Sequence, residues 1–264
     1  MDLNLRNKVA VVSGASKGIG LSIATALADA GARVVAGSRN PGSALSHLAT
    51  DFPVVPFAVD LSTVDGPAQL IEHAVTQFGF VDILINNVGG AQFHPKGFLS
   101  ISDDDWERTL ALNVMSTVRA SRAVMPIMIE HGGGAIVNIS SLNAHQPGAP
   151  IADYSSAKAA VTNLSKALAE EFGSKGIRVN TVSPGPVRTP LLTGVGGIAN
   201  TIAQASGSDR ETIVERFPQM NSMTLGRLIE VDEVAALVLF LASDRAATIT
   251  GSDFIIDGGM KKTI

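Results

Sequence analysis

Short apolar runs of strand length alternate with segments of helical periodicity along almost the whole chain, and this alternation constrains the fold more than any other feature. The runs are apolar on both faces, as strands are when helices cover both sides of a parallel sheet. They lie at residues 9–12, 34–37, 54–59, 83–85, 135–139, 179–182 and 254–256. Helices are expected at residues 19–30, 43–50, 64–78, 103–130, 154–172 and 231–242. The pattern predicts an α/β fold built on a parallel sheet.

The 264 residues are expected to form one domain, because no Pro/Ser-rich linker or block of charge interrupts the alternation. The net charge of −4, with scattered basic residues, provides no electrostatic surface for nucleic acid. The longest apolar run, residues 234–242, is too short to span a bilayer, and the first residues lack the features of a signal peptide. The absence of cysteine excludes disulfides and thiolate metal sites, and no metal site is expected. We expect a cytoplasmic protein that binds neither nucleic acid nor membrane.

From about residue 186 to residue 226 the pattern loosens into Gly, Pro, Thr and Ser with short helical pieces. A segment this long in a compact domain is usually functional, and we interpret it as a lid over a substrate. Its apolar content fits an alcohol or ketone with an apolar portion. The apolar residues are Leu191, Leu192, Val195, Ile198, Met220 and Met223.

A glycine-rich turn, Ser-Gly-Ala-Ser-Lys-Gly-Ile-Gly at residues 13–20, joins the first strand to the first helix. Glycines let a backbone approach a ligand closely, and the free N–H groups of a helix N-terminus favour a phosphate. Residues 14–18 also match Gly-x-Ser-x-Gly, the nucleophile elbow of α/β-hydrolases, and His-Gly-Gly-Gly at 131–134 resembles their oxyanion loop. Chain order opposes the hydrolase, because the elbow follows the first strand and precedes the His-Gly-Gly-Gly segment. We expect residues 131–134 to end a helix instead.

Tyr154 and Lys158 stand four residues apart at the start of a predicted helix, so their side chains share one face. A phenol has an ordinary pKa of about 10. A neighbouring ammonium favours the phenolate, so we expect Lys158 to make Tyr154 a better proton donor and acceptor near neutral pH. The alternative is an ordinary amphipathic helix that carries a Tyr and a Lys.

Taken together, several motifs resemble the short-chain dehydrogenase/reductase family, and its 3-oxoacyl-[acyl-carrier-protein] reductases in particular. The resemblance runs from about residue 8 to residue 259, with Ser13 where the family usually has Thr and Val88 where it usually has Ala. The motifs are the glycine turn, Asn86-Asn87-Val88-Gly89, Asn113, Ser140-Ser141, Tyr154-x-x-x-Lys158 and Pro184-Gly185.

The resemblance implies a Rossmann-type, doubly wound sheet of seven parallel strands with helices on both faces, and a site at the carboxyl ends of the strands. It implies an NADP(H)-dependent oxidoreductase that interconverts a ketone or aldehyde and an alcohol by hydride transfer. A non-catalytic NADP(H)-binding regulator is one alternative, and an epimerase or dehydratase is another.

The catalytic residues implied by the resemblance are Asn113, Ser141, Tyr154 and Lys158. Ser141 is chosen over Ser140 because it lies 13 positions before Tyr154, as in the family. Ser141 would polarise the substrate carbonyl, Tyr154 would donate the proton, and Lys158 would hold the nicotinamide ribose. Asn113 would shape a water relay, or would satisfy a local backbone kink.

The implied cofactor contacts follow the strands in order. They are Gly14, Ser16, Lys17, Gly18, Ile19, Gly20, Ser38, Arg39, Asp60, Leu61, Asn87, Gly89, Tyr154, Lys158, Pro184, Gly185, Val187 and Thr189. NADP(H) is favoured over NAD(H), because the second strand ends in Ser38 and Arg39 rather than in a carboxylate that would accept from the ribose 2′-OH. Arg39 and Lys17 would bind the 2′-phosphate, unless both are merely solvated surface cations.

Two of these residues have structural alternatives, and the substrate contacts are less defined. Asp60 would face the adenine or cap the next helix, and Thr189 would contact the carboxamide or cap the lid helix. The residues expected to line the substrate pocket are Phe93, His94, His145, Gln146 and the segment 191–223. Extra small and apolar residues on the helices at 103–130 and 154–172, such as Ala159, Ala160, Val161, Leu164 and Leu168, predict a homo-oligomer, either a dimer or a tetramer.

Overall fold

The computed structural model describes residues 2–263. Seven strands form one sheet in the order β3-β2-β1-β4-β5-β6-β7, and every neighbouring pair is parallel. The strands are β1 (Val9–Ser13), β2 (Arg33–Ser38), β3 (Val54–Ala58), β4 (Ile83–Asn86), β5 (Gly134–Ile139), β6 (Ile177–Pro184) and β7 (Asp253–Ile256). The strand order reverses between β1 and β4, where open α/β sheets bind ligands. The structure confirms the expected seven-stranded Rossmann-type sheet.

Helices cover both faces of this sheet, and each expected helix is present with boundaries within a few residues of the prediction. The helices are α1 (Gly18–Asp29), α2 (Gly42–Asp51), α3 (Gly66–Phe78), α4 (Asp103–Leu110), α5 (Ser116–Glu130), α6 (Ala152–Phe172), α7 (Pro190–Thr193), α8 (Ile198–Ser206), α9 (Arg210–Met220) and α10 (Val231–Ala242). None of the helices in residues 2–263 combines the length and apolar character required to cross a bilayer.

The strands bury alternate residues in two separate cores, because successive side chains point to opposite faces of a sheet. On one face, Val12 and Val34 pack with α1 and α10. On the other face, Val11 and Val35 pack with α3, α5 and α6. A sheet apolar on both faces is therefore explained by two helical layers, as the sequence predicts.

The long helix expected at 103–130 carries an irregularity that its periodicity did not show, although a local kink at Asn113 was one of the alternatives. Ser102 caps α4 in a capping box with Asp105. Between α4 and α5 lies a π-helical turn, Ala111–Met115, with Asn113 at its centre. Asn113 Nδ2 donates to the carbonyl of Thr109 at 2.9 Å, and π-turns of this kind often occur at functional sites.

The loosely patterned segment contains the three helices α7, α8 and α9. Ala199 and Ala203 of α8 and Ile213 of α9 form a small apolar cluster of their own. The segment rejoins the sheet layer through a bridge between Val187 and Ile229. We refer to α7–α9 as the lid helices.

Candidate active site

A cleft of about 920 Å³ opens where the strands end. Every cofactor-binding residue expected from the sequence lines it, and so do Ser141, Tyr154 and Lys158. Asn113 is the one expected catalytic residue outside the lining. The tertiary structure thus gathers side chains from positions as distant as Gly14 and Thr189 into one cleft.

The glycine turn approaches the cleft with its backbone. Gly14 and Gly18 adopt positive φ angles of 68° and 57°, which favour glycine. A side chain on Gly20 would collide with the Gly14 carbonyl and the Asn87 amide. Helix α1 begins here with neither a side-chain cap nor an acidic residue in its first turn, so its N–H groups and positive dipole end remain available to an anion.

Ser13 and Asn87 attach the glycine turn to the end of β4. The Ser13 hydroxyl accepts from the backbone N–H groups of Asn87 and Val88 at 2.9 and 3.0 Å. Asn87 Nδ2 donates to the carbonyls of Ser13 and Gly14. Ser in place of the family's usual Thr retains the hydroxyl that these bonds require.

The hydrolase interpretation is not supported by the arrangement around Ser16. No histidine of residues 2–263 lines the cleft, so Ser16 has no general base. His131 instead follows the last residue of α5 and stacks on Phe80 with ring centroids 4.8 Å apart. Gly132, with a φ of 83°, reverses the chain after the helix, as expected for a helix end.

An unpaired hydroxyl and a cation lie at the end of β2, and a second cation lies in the glycine turn. Lys17 and Arg39 are exposed, line the cleft and form no ion pair within residues 2–263. The Ser38 hydroxyl oxygen is buried and has no hydrogen-bond partner in that part of the chain. The orphaned hydroxyl and the two cations of the cleft lining provide donors for an anionic ligand.

Asp60 and Thr189 both border the cleft, and neither side chain caps a helix. Asp60 Oδ1 accepts from the N–H and hydroxyl of Ser62 at 2.9 and 2.7 Å. These bonds lower the pKa of the Asp60 carboxyl, with Arg39 adding a smaller effect. Thr189 occupies the N-cap position of α7 without a side-chain cap bond, and its methyl group lies against the glycine turn at Gly18.

Tyr154 and Lys158 lie on adjacent turns of α6, as their spacing predicts. The Lys158 ammonium is 5.7 Å from the centroid of the Tyr154 ring and donates to the carbonyl of Ile139 at 2.8 Å. Lys158 is buried, so the end of β5 fixes its position. The ammonium is therefore held at the side of the phenol and at the base of the cleft.

The pKa values of this pair differ from the sequence-based expectation. Burial raises the pKa of the Tyr154 phenol, and the Ser141 hydroxyl, which could turn from Asn143 to donate to the phenolate, opposes that shift. Burial also lowers the pKa of Lys158 to about 8. The phenol is thus a weaker acid than free tyrosine, because desolvation disfavours the phenolate.

The two serines after β5 have different surroundings. The Ser140 hydroxyl bonds to the Lys158 carbonyl and to the Thr162 hydroxyl, at 3.0 and 2.8 Å. The Ser141 hydroxyl lies in the cleft, accepts from the Asn143 backbone N–H and donates to Asn143 Oδ1. Both serines line the cleft, but the Ser140 hydroxyl is bound to α6, whereas the Ser141 hydroxyl bonds only within its own loop. The choice of Ser141 as the catalytic serine stays a prediction.

Asn113 lies behind the cleft wall rather than in it. It is 1% exposed, and its amide exchanges hydrogen bonds with the backbone of Gly90 at 3.2 and 3.0 Å. An added Cβ at Gly89 would come within 2.7 Å of Asn113 Oδ1 and 3.2 Å of Lys158 Nζ. Asn113 therefore holds the backbone segment that packs against Lys158, and its expected role in a water relay stays a prediction.

Only some of the residues expected in the substrate pocket line the cleft. Phe93 and Gln146 line it, as do Leu191, Leu192 and Met220. Four expected residues do not. They are His94, buried near Asp153; His145, bound to Asp253 at 2.5 Å; Val195, 77% exposed; and Met223, packed in the core of α1 and α10.

Some lining residues could not be found from the motifs. Met260 reaches the cleft from the end of the chain, and Leu112 reaches it from the π-turn. Asn143 and the segment between Ser141 and Tyr154 also contribute. The one available signal was Pro147-Gly148, a pair that marks a loop between Ser141 and Tyr154.

Comparison with known proteins identifies the class to which this site belongs. A family model described as enoyl-(acyl carrier protein) reductase matches residues 14–261. Since the match spans almost the whole chain, the protein belongs to the short-chain dehydrogenase/reductase family and is an oxidoreductase of that family. The resemblance expected from the motifs is confirmed.

Particular relatives are similar over their full length. The chain is 38% identical to D-threitol dehydrogenase from Mycolicibacterium smegmatis, covering 98% of this chain and 94% of that one. It is 31% identical to the 3-oxoacyl-[acyl-carrier-protein] reductase of Thermotoga maritima, with 98% and 99% coverage. The crystal structure of L-sorbose reductase from Gluconobacter frateurii, complexed with NADPH and L-sorbose, matches with a TM-score of 0.92 at 34% identity over 100% of both chains.

Proposed function

We propose that this protein is an NADP(H)-dependent reductase or dehydrogenase that interconverts a ketone or aldehyde and an alcohol, with Tyr154 as the proton donor and acceptor. The observation that carries the proposal is that Ser141, Tyr154 and Lys158 line the same cleft as the glycine turn. A proton donor and a phosphate-binding helix end in one crevice suit hydride transfer better than hydrolysis or metal chemistry.

The residues at the glycine turn fit a dinucleotide. The uncapped N-terminus of α1 would hold the pyrophosphate, and the crowding at Gly20 keeps that backbone free of side chains. Arg39, Lys17 and the unpaired Ser38 hydroxyl would hold a 2′-phosphate. When bound, the reduced nicotinamide supplies the hydride that the carbonyl carbon accepts.

Ser141 and Tyr154 would act on the carbonyl oxygen. Ser141 would turn its hydroxyl from Asn143 toward that oxygen and stabilise the developing negative charge. Tyr154, whose pKa is raised by burial, keeps its proton at neutral pH and can therefore donate it as the alcohol forms. Tyr154 would return to the neutral phenol by taking a proton from the solvent side.

Lys158 and Asn113 would supply position and charge. Lys158 lines the cleft and is held by the Ile139 carbonyl, and its remaining N–H donors would be available to a ribose. With a pKa near 8, most Lys158 side chains are charged at pH 7, which favours the transient phenolate. Asn113 fixes Gly90 and so keeps the backbone beside Lys158 in place.

Replacement of Tyr154 by Phe tests the proposal directly. We expect NADPH oxidation with a carbonyl substrate to fall by about 10²- to 10⁴-fold, the usual contribution of a general acid, with NADPH affinity nearly unchanged. The assay is a panel of apolar ketones and ketose sugars followed by NADPH absorbance, with NADH in parallel. Ser156→Ala is the matched control, because Ser156 is an exposed neighbour on α6 and its loss should leave turnover unchanged.

Two outcomes would contradict the proposal. Full turnover by the Tyr154→Phe variant would remove Tyr154 from the chemistry. A wild-type protein that binds NADPH but oxidises it with no carbonyl in the panel would favour the non-catalytic regulator.

Assembly remains part of the proposal rather than a finding. Ala159 and Ala160 of α6 are exposed, as is Leu110 at the end of α4. Small and apolar side chains on these helices support a homo-oligomer in which α4–α6 of two subunits pack together, and sedimentation equilibrium would measure its size. A cytoplasmic location likewise stays an expectation.

A further inference from the structure

The buried side chains of His94 and Asp153 lie close together at the start of α6, and Asp153 immediately precedes Tyr154. Asp153 lies in the first turn of α6 and is 0% exposed, and His94 is 6% exposed. His94 Nε2 is 3.9 Å from Asp153 Oδ2. Neither residue lines the cleft, and the chemistry proposed above uses neither.

The surroundings leave this carboxylate only partly satisfied. Thr109 of α4 donates its hydroxyl to Asp153 Oδ2 at 2.6 Å. Asp153 Oδ1 and His94 Nε2 have no hydrogen-bond partner in residues 2–263. A buried carboxylate is costly unless it is hydrogen-bonded, and the nearest orphaned donor is the imidazole. A small side-chain rotation, or one bridging water, would join the two groups.

We propose that His94 and Asp153 form a hydrogen-bonded pair, with the imidazole N–H donating to the carboxylate, and that this pair positions Tyr154 and Lys158 for catalysis. The inference rests on the proposed hydride-transfer function. Neither residue touches the reacting atoms, so both are positioning residues.

The pair connects three elements that converge on the site. His94 belongs to the segment after β4, and its backbone N–H donates to the Pro150 carbonyl at 2.7 Å, just before α6. The neighbouring Phe93 lines the substrate side of the cleft. The pair would therefore connect the substrate-facing loop to the first turn of α6, which contains Tyr154.

A second chain of contacts leads from Asp153 to Lys158. Thr109, which donates to Asp153, accepts through its backbone carbonyl from Asn113 at 2.9 Å. Asn113 holds Gly90, and the adjacent Gly89 packs against Lys158 Nζ. Movement of Asp153 would thus reach Tyr154 through α6 and Lys158 through α4.

A double-mutant cycle tests the proposal on the full-length protein. We expect His94→Leu and Asp153→Asn each to lower kcat by about 10- to 100-fold, the loss that a displacement of about 1 Å can cause. The double variant should lose less than about threefold more than the worse single variant, because one interaction is removed in all three. NADPH affinity should stay within about twofold. His94→Gln, whose amide can still donate, should recover part of kcat.

The matched control is His73→Leu. His73 also has an unpartnered Nε2, but it is only partly buried, lies on α3, stacks on Phe57 of β3 and does not line the cleft. Its loss should leave kcat unchanged.

Thr109 provides a second test if Asp153→Asn does not fold. Thr109→Ser keeps the hydroxyl and should retain kcat, whereas Thr109→Val should lower it by about 10-fold. The same double-mutant cycle, applied to the free energy of urea unfolding, measures the interaction between His94 and Asp153 without an activity assay. If the wild type reduces no carbonyl, the proposed function fails while the unfolding cycle still reports on the pair.

Three results would overturn the proposal. They are independent, multiplicative losses of kcat in the cycle, a loss of NADPH affinity equal to the loss of kcat, and kcat unchanged in the Thr109→Val variant.

Discussion

The glycine-turn side of the cleft and its lid side are built in different ways. On the glycine-turn side, the Gly14 N–H donates to the Gly37 carbonyl of β2, and the Asn87 side chain after β4 donates to the carbonyls of Ser13 and Gly14. At Gly20 the contacts are so close that only glycine fits. On the lid side, α8 and α9 have a small apolar cluster of their own, and the exposed side chains of Leu191 and Met220 line the cleft.

The difference suggests which side of the cleft recognises the nucleotide and which side recognises the carbonyl substrate. A ligand common to a family can be recognised by backbone geometry, which tolerates few substitutions. A variable substrate is better served by exposed side chains outside the sheet, such as Leu191 and Met220, which can change without disturbing the core. We therefore expect substitutions on the two sides to have separable effects on nucleotide and carbonyl.

Gly20→Ala should cause the largest loss. The added methyl would collide with the Gly14 carbonyl and the Asn87 amide, so we expect NADPH binding to be lost and the free energy of unfolding to fall by about 1–3 kcal/mol. Isothermal titration and urea unfolding measure the two effects. Gly196→Ala on the lid segment is the control, because its Cβ would meet nothing within 4 Å. Equal tolerance of both substitutions would contradict the distinction.

Arg39→Ala should have the next largest effect. The loss of a charged hydrogen-bond donor is worth about 1.5–3 kcal/mol, so we expect the KM for NADPH to rise by about 10- to 100-fold while that for NADH changes little. Steady-state kinetics with both nucleotides measure the ratio. Arg122→Ala, at an exposed position on α5, should change neither. An equal rise for both nucleotides would show that Arg39 does not recognise the 2′-phosphate.

Tyr154, where the two sides meet, can be titrated alone because the chain contains one tyrosine. Lys158, with a pKa near 8, loses its proton before the phenol ionises above its ordinary value of about 10. In the protein without nucleotide, Ser141→Ala should raise the pKa of the phenol, since the hydroxyl that could turn from Asn143 to donate to the phenolate is lost. Lys158→Met should change it much less. Tyrosinate absorbance across a pH series measures both.

A larger effect of Lys158→Met than of Ser141→Ala would support the expectation from sequence that Lys158 favours the Tyr154 phenolate. If Lys158→Met raises the phenol pKa more than Ser141→Ala does, the ammonium rather than the serine favours the phenolate in the unliganded protein.

Met220→Ser should produce the smallest effect. Met220 lines the cleft but is 55% exposed, so a bound substrate would bury only part of it, a contribution of about 1 kcal/mol. We expect the KM for an apolar ketone to rise by about three- to tenfold, with the KM for NADPH unchanged. Val195→Ser is the control, because Val195 is exposed outside the cleft lining. A similar response of both variants would mean that the lid does not contact the substrate.

The order of elements and most of the site could be predicted because they depend on local patterns. A strand buried on both faces shows a continuous apolar run, as at 9–12 and 83–85, and the glycine turn shows where the backbone must bend sharply. The resemblance to the family's motifs implied Ser141, Tyr154 and Lys158 as catalytic residues, and all three line one cleft in the structure.

The predictions from sequence were wrong or incomplete where a property depends on residues distant in the chain. His94 and His145 were expected in the substrate pocket, but His94 is buried near Asp153 and His145 is hydrogen-bonded to Asp253. The periodicity of residues 103–130 does not show the π-turn, in which Asn113 bonds to the Thr109 carbonyl. The phenol pKa depends on desolvation, which no pair of residues in a motif reveals.

The sequence by itself determined the alternation of strands and helices, the glycine turn and the spacing of Ser141, Tyr154 and Lys158, because each is set by neighbours along the chain. Only the tertiary structure decided which side chains reach the cleft, as Met260 does and Met223 does not. It also decided the acidity of Tyr154 and the proximity of His94 to Asp153. Burial and distance depend on residues that come together only when the sheet is assembled.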